Sequence, residues 1–263
     1  MLHLGYIAAG HERLLPEAPC STSRMITNKK IRQMKATRFE HESCSAPRLL
    51  QLRYLVAEGE GQHLEFKRRA SDPERIVREM VAFANTGGGT LLVGVADNGS
   101  IPGLKYPEEE SFVIRQAIEK YIQPPLTYRE EVIAVAPARF VLAYHIKAGK
   151  KYLYQIRHGR KLTCFVRVQD KSLKASYEMK TVLRYRNRKR SLLIRYGEHE
   201  QLLMKFLSEY KTITVGDFAK LANLPYRQAS QKLVYLVLAN LLKITATEAG
   251  DLYSLAFPAD EGR

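Results

Sequence analysis

The run Gly87-Gly88-Gly89 constrains this chain more than any other feature. Consecutive glycines end a helix and turn the chain sharply, because glycine alone reaches positive φ without steric cost. The flanking residues say what is joined. Upstream, Asp72-Pro73 opens a helix with proline at its first position, and Ile76, Val77, Met80, Val81 and Ala84 recur at helical spacing. Downstream, Thr90 to Val95 is an apolar strand closed by the turn Asp97-Asn98-Gly99. A phosphate-binding loop has the opposite order, strand, glycines, helix, and ends in Gly-Lys-Ser/Thr. The glycines therefore read as a helix cap and tight turn, and ATP is not an expected cofactor.

The same periodicities organise the rest of the chain. Leu49, Leu52, Leu55 and Val56 share a face of a short helix over 48–57. Residues 63–67 alternate, with Leu64 and Phe66 on one side of a strand and Glu65 and Lys67 on the other. A helix is expected over 110–121, stopped before Pro124-Pro125, then strands over 127–136, 140–146, 151–157 and 163–168, and a helix over 177–188. The pattern is α+β, a mixed or antiparallel sheet with packed helices. The last part reads as helices over 199–210, 215–222 and 226–242, then a hairpin over 243–255 around Ala249-Gly250-Asp251. Helix-turn-helix followed by a β-hairpin is the order of a small winged helix-turn-helix domain. Residues 1–47 show no sustained period and are expected to be a loosely held or mis-started extension, with Met25 and Met34 as alternative starts.

Charge narrows the class of partner. The chain carries +15, and residues 147–195 hold 16 Lys and Arg against Asp170 and Glu178. The other 26 basic and 25 acidic residues nearly cancel. A field concentrated in this way attracts polyanions, of which nucleic acid, DNA or RNA, is the expected one. Tyr152, Tyr154, Phe165, Tyr177 and Tyr185 lie in the same stretch and either stack on bases or pack in the core. The candidate contacts are Arg157, Arg160, Lys161, Arg167, Lys171, Lys174, Arg184, Arg186, Arg188, Lys189 and Arg190. No run is long and apolar enough for a membrane span, and the N-terminus lacks the basic start of a secretory signal. Cys20, Cys44 and Cys164 are far apart, so a zinc site or disulfide framework is not expected and a cytoplasmic setting is. His63 and His145 read as strand-packing residues.

The segments GEGQHLEFKRRA, AFANTGGGTLLVGVADNGSIPGL and FVRVQDKSLKA resemble successive signatures of the Schlafen AlbA_2 domain, also described as divergent AAA-like, over about residues 58–180. The tail resembles the winged helix that often follows this domain in bacterial members. The implied organisation is an extension over 1–47, an AlbA_2-like domain over 48–180, a basic linker and helix end over 181–197, a winged-helix-like domain over 198–257 and a tail over 258–263. The resemblance implies nucleic-acid binding. In vertebrate members that cleave structured RNA it also implies a three-carboxylate site, which maps onto Glu60, Glu65 and Asp97. Such carboxylates would hold Mg²⁺ or Mn²⁺, with Lys67 neutralising the developing phosphorane charge. Family members often carry two acids at the turn where this chain has Ala96-Asp97-Asn98. The alternative for the same residues is a plain Glu65–Lys67 ion pair and an Asp97 turn closed by Gly99.

From Glu198 to Arg263 there are seven basic and eight acidic residues, fewer cations than a typical DNA reader carries. The candidate reading surface is Tyr226, Arg227, Gln228, Gln231 and Lys232, since Arg and Gln recognise guanine and adenine edges. The other reading of this part is a dimerisation module, so a homodimer is possible. Three functions follow, in order: a DNA-binding, transcriptional-regulator-like protein; a Mg- or Mn-dependent ribonuclease; an ATP-binding module.

Overall fold

The computed structural model of the protein describes residues 46–186 and 196–257. It is α+β. Helix α1 (Ala46–Ala57) precedes strand β1 (Leu64–Lys67), helix α2 (Pro73–Thr86) and strand β2 (Gly89–Val93). Helix α3 (Pro107–Tyr121), strand β3 (Ile122–Gln123), and the hairpin of β4 (Tyr128–Ala136) and β5 (Arg139–Ile146) follow. Then come β6 (Gln155–His158), β7 (Lys161–Thr163), β8 (Phe165–Val168), β9 (Lys171–Lys174) and α4 (Tyr177–Arg186).

The main sheet has the order β1-β2-β5-β4, with β1 and β2 parallel and the rest antiparallel. Both faces are covered, and strand alternation explains how. Leu64, Phe66 and Leu92 meet Leu52 and Val56 of α1 on one face, while Leu91, Val93, Leu142 and Tyr144 meet α2 and α3 on the other. Helix α2 begins as the sequence predicts: the Asp72 side chain accepts from the Arg75 amide and Pro73 stands at the first position. It ends where the glycines begin. Gly88 has φ +79° and its amide donates to the Phe83 carbonyl.

The stretch after β5 departs from expectation. The strand expected over 151–157 starts only at Gln155, and the one over 163–168 breaks at Cys164. Asn85, buried at the end of α2, is the cause. Its side chain donates to the carbonyls of Tyr154 and Phe165 and accepts from the Tyr154 amide, so these backbone groups pair with a side chain instead of a strand. Thr86 accepts from the Arg167 amide in the same way. Burial pushes the Cys164 thiol up to about 12, which keeps it protonated.

The last part holds α5 (Glu198–Tyr210), α6 (Val215–Leu221), α7 (Tyr226–Leu238) and the antiparallel hairpin β10 (Leu242–Thr247) and β11 (Gly250–Leu255). The third helix stops four residues before the expected 242, at a turn where Asn240 takes φ +60°. A bridge between Ile213 and Tyr253 ties the α5–α6 connection to the hairpin. The core of this part, with Leu203, Phe218, Leu233 and Val237, also contains Val182 of α4. Residues 181–186 continue the helix expected over 177–188, and Val182 among them packs in the C-terminal core; residues 187–195 lie outside the described residues. Three polar links reinforce the junction: Ser230 donates to Glu178, Ser176 to Asp251, and Lys171 pairs with Glu248 at 2.8 Å.

Candidate nucleic-acid interface

Most of the cations expected to touch phosphate are exposed. Arg157, Arg160 and Lys161 crown the β6–β7 hairpin, whose tip turns at Gly159 with φ +60°. Lys174, Arg184 and Arg186 are exposed as well. Cys164, the residue after β7, packs in one cluster with Met179 and Leu183 of α4, which places that helix beside the base of the hairpin. Arg188, Lys189 and Arg190 lie outside the described residues. Lys171 is exposed but engaged with Glu248. Of the aromatics, Tyr154 belongs to the core, while Tyr152 and Tyr177 are exposed.

Packing adds residues that the sequence reading did not single out. Tyr121, at the end of α3, packs against His158 in a tilted pair, 5.2 Å between centroids, and Lys120 lies 4.7 Å over the Tyr121 ring. Arg75 and Arg78 of α2 share a groove with His158. These residues are 37 to 83 positions from the hairpin. Their only sequence signal was their charge, which the acids around them cancel in a count.

Arg167 is a correction. It does not face phosphate: its side chain is 1% exposed. It pairs with Glu65 at 2.6 Å and Glu79 at 2.8 Å, donates to the Gly61 and Leu64 carbonyls, and lies over the Phe83 ring. All of its donor capacity is turned inward, so it organises the core beneath the surface.

The carboxylate set is distributed around β1. Glu65 is buried on the α2 side, with one oxygen taken by Arg167 and the other by Lys67. Lys67 also donates to the Phe66 carbonyl. Glu60 lies along the free edge of β1, accepting from the Phe66 amide at 2.8 Å. Its carboxyl is held above the usual range, by burial first and then by the Glu65 and Asp97 charges, against the lowering effect of the Phe66 amide and Lys67. Asp97 is exposed and lines a cavity of about 510 Å³ with Arg53, Val56 and Phe66, on the α1 side of the sheet. Phe66 and Glu65 are adjacent strand residues and point to opposite faces, so the strand separates Glu65 from the Asp97 cavity. Glu65 has no free oxygen for a cation, and among the described residues no three His, Cys, Asp or Glu are spaced to hold a metal. These residues do not fit a three-carboxylate Mg²⁺ or Mn²⁺ site in this arrangement. The turn is closed by Asn98, whose side chain accepts from Ser100, and not by Asp97.

The glycine run is filled by protein. A Cβ on Gly88 would lie 2.7 Å from the Ile146 carbonyl oxygen, and one on Gly89 would lie 2.5 Å from the Phe83 ring. His63 bonds the Gly88 carbonyl at 2.8 Å, and His145 sits between Thr90 and Glu131. Burial, and then Arg129, lower the His145 pKa against the pull of Glu131.

In the C-terminal part, Tyr226, Arg227 and Gln228 are exposed on the first turn of α7. Gln231 is exposed and donates to the Tyr235 hydroxyl at 2.9 Å. Lys232 is committed to Glu200 at 2.6 Å. Burial would raise the Glu200 carboxyl, but the bonds from Lys232 and the Gly197 amide outweigh it and hold the carboxyl below its usual range. Lys232 is therefore an anchor between α5 and α7.

A family model described as "Schlafen, AlbA_2" matches residues 60–176. No curated protein matches the chain. A solved structure similar to it is the DIP2311 protein from Corynebacterium diphtheriae, at 22% identity and a TM-score of 0.36, over 50% of this chain and 31% of that one. The chain thus spans about a third of the length of that protein.

Proposed function

We propose that this protein, whose residues 60–176 match the Schlafen AlbA_2 family model, binds nucleic acid without cutting it, as a DNA-binding, regulator-like protein. The observation that carries the reading is the exposed cationic hairpin of Arg157, Arg160 and Lys161 beside α4, which carries the exposed Arg184 and Arg186. Phosphate neutralisation there supplies affinity that does not depend on sequence. The C-terminal part acts as a winged helix, with Arg227, Gln228 and Gln231 at the start of α7 reading base edges. Its junction with the first part, through Val182 and the Glu178–Ser230 bond, supports joint placement of the two surfaces on one duplex.

The reading is preferred to a metal-dependent nuclease because Glu65 is consumed by Arg167 and Lys67. The test is incubation with double-stranded DNA and with transfer RNA, in EDTA and in Mn²⁺. Binding should be equal in the two conditions and both substrates should stay intact. Cleavage that appears only with Mn²⁺, and is lost in Glu60→Gln, would establish the nuclease instead. The double change Arg227→Ala and Gln231→Ala should leave non-specific affinity in place and remove about 1–3 kcal/mol of discrimination per lost base contact.

A further inference from the structure

A second cationic site lies outside the basic stretch altogether. The loop after β2 is folded back onto the start of β5: Leu104 and Phe140 exchange backbone hydrogen bonds, and Gly103, at φ +66°, comes so close that a Cβ there would lie 2.9 Å from Arg139 Cβ. This fixes Lys105 and Tyr106 beside Arg139. Arg68 and Arg69, just past the end of β1, close the other side of a cavity of about 330 Å³. The four cations are exposed, and Tyr106 is 53% exposed, with Lys105 5.2 Å over its ring.

Two carboxylates also line the cavity. Glu110 is spent on Arg69 and on the Ala70 amide, at 2.6 Å. Glu109 remains at the rim. Cations still outnumber acids four to two, and among the described residues Arg68, Lys105 and Arg139 have no ion-pair partner. Guanidinium groups suit the forked oxygens of phosphate, and an exposed tyrosine beside them suits a base. A carboxylate ligand would use the cations but not the ring.

We propose that the Arg68–Arg139–Tyr106 cavity binds a phosphorylated nucleotide unit of single-stranded nucleic acid, with the phosphate on the arginines and the base on the free face of Tyr106. The inference rests on the nucleic-acid-binding reading above and adds a separate site to it. The two sites stand at opposite ends of α3, since Tyr106 precedes the helix and Tyr121, which packs against His158, ends it. Fifteen residues of helix separate them by about 22 Å. One strand contacting both would cross the molecule along α3.

The test uses the whole protein and a single-stranded oligonucleotide with a 5′-phosphate, in EDTA, with a nucleoside monophosphate as competitor. Arg68→Gln with Arg139→Gln should reduce the magnitude of the log K against log salt slope by about 0.7, the value for the one phosphate the two arginines share. Tyr106→Ala should weaken binding at least about fivefold, which is about 1 kcal/mol of stacking, and Tyr106→Phe should keep it. Competition by the free nucleotide at concentrations matching strand affinity would make the free nucleotide the ligand of the same chemistry; failure to compete points to the strand. Loss with the arginine pair but not with Tyr106→Ala would mean a bare anion site and overturn the proposal. An unchanged slope in the arginine pair overturns it as well. If Arg157→Gln with Arg160→Gln still weakens binding in that case, the wider reading stands without this site. If the unaltered protein binds double-stranded DNA but no single-stranded oligonucleotide, this site falls and the wider reading stands; if it binds neither, both fall.

Discussion

Replacing Arg167 by Met should cost about 3–5 kcal/mol of stability, the usual penalty for leaving buried charge unpaired. The side chain is 1% exposed, and its two acids, Glu65 and Glu79, are 5% exposed. Methionine fills much of the same space, so the effect is electrostatic and not a cavity. Lys67 still holds Glu65, and Ser172 still donates to Glu79, but the carbonyls of Gly61 and Leu64 also lose their donor. For a chain of this size the loss corresponds to about 6–20 °C in Tm. Adding Glu65→Gln and Glu79→Gln to Arg167→Met should restore a good part of it, because neutral amides tolerate burial that carboxylates do not. Denaturant midpoints check both steps. A change below about 1 kcal/mol in the single variant would show that Arg167 is a surface residue after all.

Gly88→Ala should be nearly as damaging, at about 2–5 kcal/mol. Two costs add. The residue sits at φ +79°, where a Cβ costs about 1–2 kcal/mol. The new methyl would also lie 2.7 Å from the Ile146 carbonyl oxygen and 2.9 Å from the Ala148 amide nitrogen. Both obstacles are backbone, so relief requires moving β5 away from the end of α2, an overpacking cost of about 1–3 kcal/mol. Gly159→Ala is the control. Gly159 has a similar φ of +60° at the hairpin tip, but nothing lies within 4 Å of its Cβ position. It should show the conformational cost alone. Equal losses in the two variants would remove the close-approach argument.

Much of the fold was legible because its signals are local. The Asp72-Pro73 start, the stripe from Ile76 to Ala84 and the Gly87–Gly89 stop define α2 within one residue at either end. What stayed hidden depends on partners far along the chain. The break at Cys164 exists because Asn85, about 80 residues earlier, takes the Phe165 carbonyl. Arg167 stood in a run of cations, and charge alone does not say which one turns inward; its position between Val166 and Val168 in a strand was a hint. The partners Glu65 and Glu79 are 102 and 88 residues away. The cavity of Arg68, Lys105 and Arg139 was invisible for a related reason. Those cations are scattered among acids that cancel them in any count, and only the folded loop at Gly103 gathers them. The Glu60, Glu65 and Asp97 set came from motif position, which does not specify the face each carboxylate takes on β1.

The junction through α4 also governs how the division of labour is tested. Val182 is buried among C-terminal side chains, so cutting the chain after α4 would expose that core and confuse instability with lost binding. Point changes on the β6–β7 hairpin avoid this, since Arg157, Arg160 and Lys161 are exposed and have no buried partner among the described residues. The decisive measurement is the salt dependence of double-stranded DNA binding in EDTA, for the intact protein and for Arg157→Gln, Arg160→Gln, Lys161→Gln together. If each cation meets one phosphate, the slope of log K against log salt should shrink in magnitude by about 2.7, at 0.9 per contact. An unchanged slope in a variant that keeps its thermal stability would place the phosphates elsewhere and contradict the account.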